Sequence, residues 1–206
     1  MYDEAYYERG EALGISGYTN YRWMPGYTIP FCNAVVKYLS LKRTDAILDF
    51  GCAKGFVVRA LYEMGFDKVQ GCDISEYAIR NADAIIRHRL HCVDDINKLD
   101  QHFDWIISKD VLEHISYDAI GEILQGFHNV VDNVFCIIPL GDGKYYNVPE
   151  YENDITHCIR EDAVWWINQF TTAGFTLSSF SMRICGIKDN WAHYSNGNGF
   201  FRFKRQ

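Results

Sequence analysis

Ile47-Leu48-Asp49-Phe50-Gly51-Cys52-Ala53-Lys54-Gly55 joins residues suited to a buried strand, one of them a carboxylate, to a loop of small residues. Phe56-Val57-Val58-Arg59-Ala60-Leu61-Tyr62 follows and is compatible with a helix. Strand, tight loop and helix start together make a place for a ligand. Small residues let the backbone approach it, and the first helical turn presents free N–H groups.

Outward from this stretch, strands and helices alternate. Residues 68–73 read as a second strand, 90–93 as a third, 103–108 as a fourth and 134–138 as a fifth that Pro139 stops. Gly65 suits the end of the first helix. Ser75 suits the N-cap of the next, which carries Ile79, Ala82 and Ile86. A further helix is expected over 117–129, and another over 160–172 ended by Gly174. Upstream, Phe31, Val35, Val36, Leu39 and Leu41 place a helix over 31–43, with Pro30 at its start. Apolar strands alternating with helices indicate a parallel sheet covered on both faces. Residues 175–184 and 199–203 read as a closing antiparallel pair.

One domain is expected over 1–206, in three parts. Residues 1–44 hold a Tyr- and Gly-rich segment that either packs on the domain or closes on a ligand as a lid; its glycines discourage a long helix. Residues 45–140 form the core. Residues 141–206 hold a polar loop, a helix and the closing strands, and the loop over 140–158 is long enough to suggest function. The chain has 206 residues and a formal charge of −7, which disfavours a broad nucleic-acid surface. No apolar run reaches the roughly 18 residues that span a membrane. The acidic start lacks the features of a signal peptide, so a cytoplasmic location is expected. None of the seven cysteines forms a C-x-x-C pair, so a zinc knuckle or redox pair is not expected.

Acids recur where a doubly wound sheet binds its ligands, outside the carboxyl ends of the strands. Asp49 ends the first strand, Asp73 the second, Asp95 follows the third and Asp110 the fourth. Such a site suits hydroxyls, an amine or a cation better than a bare phosphate. A dinucleotide would need G-x-G-x-x-G, but Ala53 and Phe56 occupy the second and third glycine positions, and Asp49 would face the pyrophosphate. A phosphate-free cofactor carrying an ammonium, such as S-adenosylmethionine, fits the acid.

The set of motifs resembles the class I S-adenosylmethionine-dependent methyltransferases. Residues 47–55 are similar to that family's first motif, with Ala53 in place of the middle glycine. Gln70-Gly71-Cys72-Asp73-Ile74-Ser75 resembles the second. Val93-Asp94-Asp95-Ile96 with Leu99 resembles the third, Asp94 standing where a glycine is usual. Phe103-Asp104-Trp105-Ile106-Ile107-Ser108-Lys109-Asp110-Val111-Leu112-Glu113-His114 resembles the fourth. The resemblance implies a Rossmann-like α/β fold, with seven strands in the order 3-2-1-4-5-7-6 and strand seven antiparallel. It assigns the methionine part of the cofactor to Gly51, Cys52, Ala53 and Gly55, with Asp49 near the ammonium. The ribose hydroxyls go to Asp73 and the adenine to Ile74, Asp95 and Ile96. Ser108 and Lys109 line the carboxypropyl side. S-adenosylhomocysteine would be the product.

For the chemistry, an alcohol acceptor needs a base, and imidazole or carboxylate is the usual choice. His157, with Asp154 orienting it or binding substrate, is the first candidate. His114 and Asp110, beyond the fourth strand, are the others. Asp154-Ile155-Thr156-His157, Trp165-Trp166 and Ala173-Gly174-Phe175 resemble a pattern in methyltransferases of sugar and polysaccharide pathways. The expectation is therefore O-methylation of a sugar or sugar-containing metabolite. The alternatives are N-methylation of an amino sugar, or a protein or peptide acceptor. No spacing compels a metal site, although the resemblance to sugar methyltransferases, some of which use a divalent metal, leaves one open, with Asp110, Asp154 and His157 as residues that could contribute ligands. No nucleic acid or membrane partner is expected, and the assembly is expected to be a monomer or homodimer.

Overall fold

The computed structural model describes residues 1–206. Its centre is β1 (Ile47–Phe50), which pairs in parallel with β2 (Val69–Asp73) on one side and β4 (Phe103–Lys109) on the other. β3 (Leu90–Cys92) extends the β2 side, and β5 (Val131–Pro139) the β4 side. β7 (Asn198–Arg205) then runs antiparallel to β5, and β6 (Phe175–Ser181) antiparallel to β7. The sheet order is 3-2-1-4-5-7-6, as the motifs imply.

Alternation along the strands feeds two cores. Leu48, Ile106 and Val134 point to the side covered by α5 (Ile120–Val130) and α6 (Ala163–Thr172), with Phe127, Trp166 and Phe170. Ile47, Ile107 and Phe135 point to the other side, against α2 (Pro25–Leu39) and α3 (Phe56–Glu63), with Phe31, Val35 and Leu61. Every one of these side chains is buried.

Several boundaries differ from the sequence expectation. α2 starts at Pro25, so Pro30 lies inside the helix. Pro25 occupies the first helical position, where a missing N–H costs nothing, and so supplies the start signal expected of Pro30. α4 (Glu76–Arg80) is a single turn and a half capped by Ser75, which accepts from the Ala78 amide at 3.0 Å. Ala82 and Ile86 lie beyond it and are buried without being helical. The N-terminal segment forms only the short α1 (Glu4–Leu13), kinked at Arg9, in keeping with its glycines. Gly10 is required there, because a Cβ would overlap the Ser16 side chain.

No helix is long and apolar enough to cross a membrane.

Candidate active site

The loop after β1 makes its turn through left-handed backbone at Gly51 (φ 77°), Ala53 (φ 48°) and Gly55 (φ 74°). A Cβ on Gly51 would run into Val111, so the loop and the segment after β4 sit in van der Waals contact. Ala53 adopts a conformation that disfavours L side chains by about 1–2 kcal/mol. That strain is the local consequence of a methyl group where the family motif has glycine. Asp73, at the end of β2, fixes the loop: one oxygen accepts from the Ala53 amide at 2.7 Å and the other from the Ser75 amide at 2.8 Å.

Above these strand ends lies a cavity of about 440 Å³. Gly51, Ala53, Asp73, Ile74, Ile96, Asp110 and His114, all singled out from sequence, line it. Tyr2, Tyr6, Tyr7 and Tyr18 of the N-terminal segment roof it. Several hydrogen bonds anchor the roof, among them one from the Ile155 amide to the Ile15 carbonyl at 3.2 Å and one from the Tyr77 hydroxyl to Glu8 at 3.0 Å. The Tyr6 hydroxyl donates to Asp154 Oδ2 at 2.8 Å. The Ser75 hydroxyl donates to the Tyr2 carbonyl at 2.5 Å. Lys54 Nζ pairs with Glu8 at 2.5 Å and donates to the Tyr21 carbonyl at 2.7 Å. Burial, reinforced by the Asp154 charge, pushes the Tyr6 phenol far up, so it remains a donor.

The other sequence candidates stand apart from the lining. Asp49 lies behind it, 5% exposed, and its pKa is pushed up to about 7 by burial and by the Asp73 charge, against the opposing Lys109. Cys52 packs on Gly71, where no Cβ would fit, and Gly55 lies against Ile86 and Leu90. Asp95 caps the turn Ile96–Leu99, accepting from the Asn97 amide at 2.9 Å. Its neighbour Asp94 lines the cavity instead and pairs with Lys98. Ser108 is buried with its hydroxyl unpartnered.

Asp110 binds Lys109 and Lys188, each at 2.5 Å. Burial alone would raise its pKa, but the two ammonium charges outweigh that and hold the carboxyl well below the usual range. Lys188 also donates to the Tyr151 hydroxyl at 2.6 Å and Asn198 Oδ1 at 2.7 Å. This committed carboxylate is a poor proton acceptor. Sequence reasoning missed Lys188, because nothing near it in the chain marks it as part of the site.

His114 and His157 come together, ring centroids 4.5 Å apart. Asp154 Oδ1 accepts from the Thr156 hydroxyl at 2.6 Å, and Thr156 Oγ1 in turn lies 2.7 Å from His114 Nδ1. Asp154 therefore orients His114 through Thr156, rather than His157. His157 Nδ1 donates to the Tyr151 carbonyl at 2.7 Å. Burial lowers both histidine pKa values, that of His114 to about 4 with help from its neighbour, so both rings are neutral at ordinary pH. Glu113, quoted in the fourth motif without a role, is fully buried, and its Oε1 lies 4.0 Å from His157 Nε2. Its main-chain carbonyl accepts from the Cys158 and Ile159 amides at 2.7 and 3.0 Å, which fixes the loop bearing His157 against the turn bearing His114.

A family model described as a methyltransferase domain matches residues 24–179. The chain belongs to the methyltransferase domain family. Solved structures agree with this methyltransferase in fold. An S-adenosylmethionine-dependent methyltransferase from Clostridium acetobutylicum superimposes with a TM-score of 0.64 at 14% identity, covering 86% of this chain and 92% of that one. The Burkholderia thailandensis 1,6-didemethyltoxoflavin-N1-methyltransferase, solved with its substrate and S-adenosylhomocysteine, gives 0.62 at 15% identity, over 87% and 79%. A complex between the Haloferax volcanii Trm112 methyltransferase activator and a methyltransferase gives 0.67 at 14%, over 88% and 91%. No curated protein matches the chain. The sheet order of this methyltransferase is the one that the class I resemblance implies.

Proposed function

We propose that this methyltransferase transfers a methyl group from S-adenosylmethionine to an oxygen of a small polyhydroxylated acceptor, such as a sugar-containing metabolite. The observation that carries the reading is the roofed cavity, which runs from the loop after β1 to His114. A cavity of this size and cover suits a small molecule better than a protein segment.

The donor residues fit S-adenosylmethionine. Asp73 lies in the cavity wall with lone pairs left after its two backbone hydrogen bonds, as two ribose hydroxyls require. Ile74 and Ile96 offer apolar faces to a base. Asp49 gains no hydrogen bond from the chain, so a nearby ammonium would be its first close partner. Bound there, the donor supplies an electrophilic methyl on a sulfonium, and the protein's work is to position the acceptor and exclude water. His114 is the neutral imidazole nearest the reacting end, and its Nε2 is free to take a hydroxyl proton. Tyr2 and Tyr6 provide flat faces and a hydroxyl for a ring substrate.

N-methylation of an amino sugar uses the same cavity and is the second reading; a neutral amine needs less from His114. Radiolabelled S-adenosylmethionine incubated with panels of hydroxylated and amino sugars distinguishes the two by which panel is labelled. Calorimetry is expected to show donor binding by the parent protein, weakened at least tenfold in Asp73→Ala, as two lost hydrogen bonds imply. Equal donor binding by both proteins, or label appearing only on protein acceptors, overturns the reading.

A further inference from the structure

Glu113, His114 and His157 each offer one ligand atom, and those atoms all lie within 4.8 Å of one another. The hydrogen-bonding pattern leaves all three as lone-pair donors. The Tyr151 carbonyl can only accept, so His157 carries its proton on Nδ1 and presents a bare Nε2. The single Thr156 hydroxyl proton goes to Asp154, so Thr156 accepts from His114 Nδ1 and His114 Nε2 is bare as well. Glu113 is fully buried, and neither of its side-chain oxygens has a hydrogen-bond partner. The two bare imidazole nitrogens and the unpartnered Glu113 carboxyl thus form a buried cluster with unmet hydrogen-bonding capacity, which a cation would satisfy at all three groups. Lys188 does not serve, since its ammonium is engaged by Asp110, Tyr151 and Asn198.

We propose that Glu113, His114 and His157 bind one divalent transition-metal ion beside the acceptor end of the cavity. Two imidazoles and one carboxylate suit zinc, iron(II), cobalt(II) or manganese better than magnesium or calcium, which favour oxygen ligands. The outer partners are those of built metal sites: each Nδ1–H is held by an oxygen acceptor, which sets the tautomer and aims Nε2 at the ion. Three protein ligands leave coordination positions open, and one of the three, His114, lies in the cavity wall.

Metal binding stands on this geometry alone, whereas its role rests on the function proposed above. With the ion bound, His114 Nε2 would be a ligand and not the proton acceptor described above, and an acceptor hydroxyl on the open side would release its proton to water more easily. Its oxygen would then attack the methyl carbon as the carbon–sulfur bond breaks and its electron pair passes to sulfur.

The test uses the full chain, stripped with a chelator and titrated with cobalt(II) without donor, followed by visible absorption and calorimetry. One equivalent is expected, with a d–d band that shifts on competition by zinc. Glu113→Gln and His157→Asn, on separate segments, are each expected to weaken cobalt binding by at least about tenfold. Thr156→Val, which strips the acceptor from His114 Nδ1, is expected to weaken it less. S-adenosylmethionine calorimetry on the same samples reports folding and the donor site independently. The proposal is overturned if the parent binds no saturating equivalent at millimolar cobalt, or if Glu113→Gln and His157→Asn bind as the parent does. Metal binding without donor binding keeps the site and sinks the methyl-transfer role.

Discussion

At the residue scale, Asp49 is a carboxyl held far from its ordinary ionisation. Its pKa is pushed up to about 7 by burial and by Asp73, against an ordinary carboxylate near 4 in the unfolded chain. Between those values the folded state holds more protons than the unfolded one, so stability falls as pH rises through the window. The loss is on the order of 4 kcal/mol at a fully buried carboxyl. Without donor, the denaturation midpoint of the parent is expected to drop between about pH 4 and pH 8, and that of Asp49→Asn to stay nearly level. Donor affinity is expected to climb through the same range in the parent only. Parallel profiles for the two proteins would show that the charge of Asp49 is satisfied some other way. Asp49 and Asp73 were legible in the sequence because each ends an apolar strand before a small-residue turn. Glu113 was not. It stands beside His114 in the chain, but its meaning depends on His157, which a distant loop brings to it. Asp94 and Asp95 are adjacent and chemically equal, and only the turn that Asp95 caps decides which of them reaches the cavity.

At the scale of elements, α1 illustrates what periodicity cannot reveal. The glycines discouraged a long regular helix, and α1 is short and kinked; Gly10 is where Ser16 folds back to donate to the Tyr6 carbonyl at 2.7 Å. Closeness of approach, a tertiary fact, selected the glycine. Conversely, Ala82 and Ile86 keep helical spacing from Ile79 but are buried from turns after α4 ends. The sequence offered two readings of the N-terminal segment, packing and lid; α1 packs on the domain and also roofs the cavity. Its tie to the loop over 140–158 is the bond from Tyr6 to Asp154. Tyr6→Phe removes a hydrogen bond to a buried carboxylate, worth about 1.5–3 kcal/mol. Amide exchange across residues 4–13 is expected to quicken, with KM for the acceptor rising more than kcat falls. Unchanged exchange in α1 would mean that the other anchors hold the roof alone.

At the scale of the molecule, the sheet order followed from four motifs in register and from the closing strands, whose alternation at Phe201 and Phe203 was visible. β7 lies between β5 and β6, and its inward side joins helix to sheet. Phe203 stacks on Phe170 of α6, centroids 4.0 Å apart and rings within 9° of parallel. Phe203→Ala is expected to destabilise the whole domain by about 3–5 kcal/mol. Urea unfolding followed by tryptophan fluorescence and by far-ultraviolet dichroism should shift together. If the fluorescence moves first, β6 and β7 are a separate cooperative unit.

One hydrogen-bonded line crosses the cavity: Tyr6 to Asp154, Asp154 to Thr156, Thr156 to His114. Its consequence concerns order of assembly. The Thr156 amide also holds Asp154 Oδ1, at 2.9 Å, so the carboxylate keeps its hold on His114 through Thr156 whether or not Tyr6 is bound. The roof thus rests on a site already set, and does not have to set it.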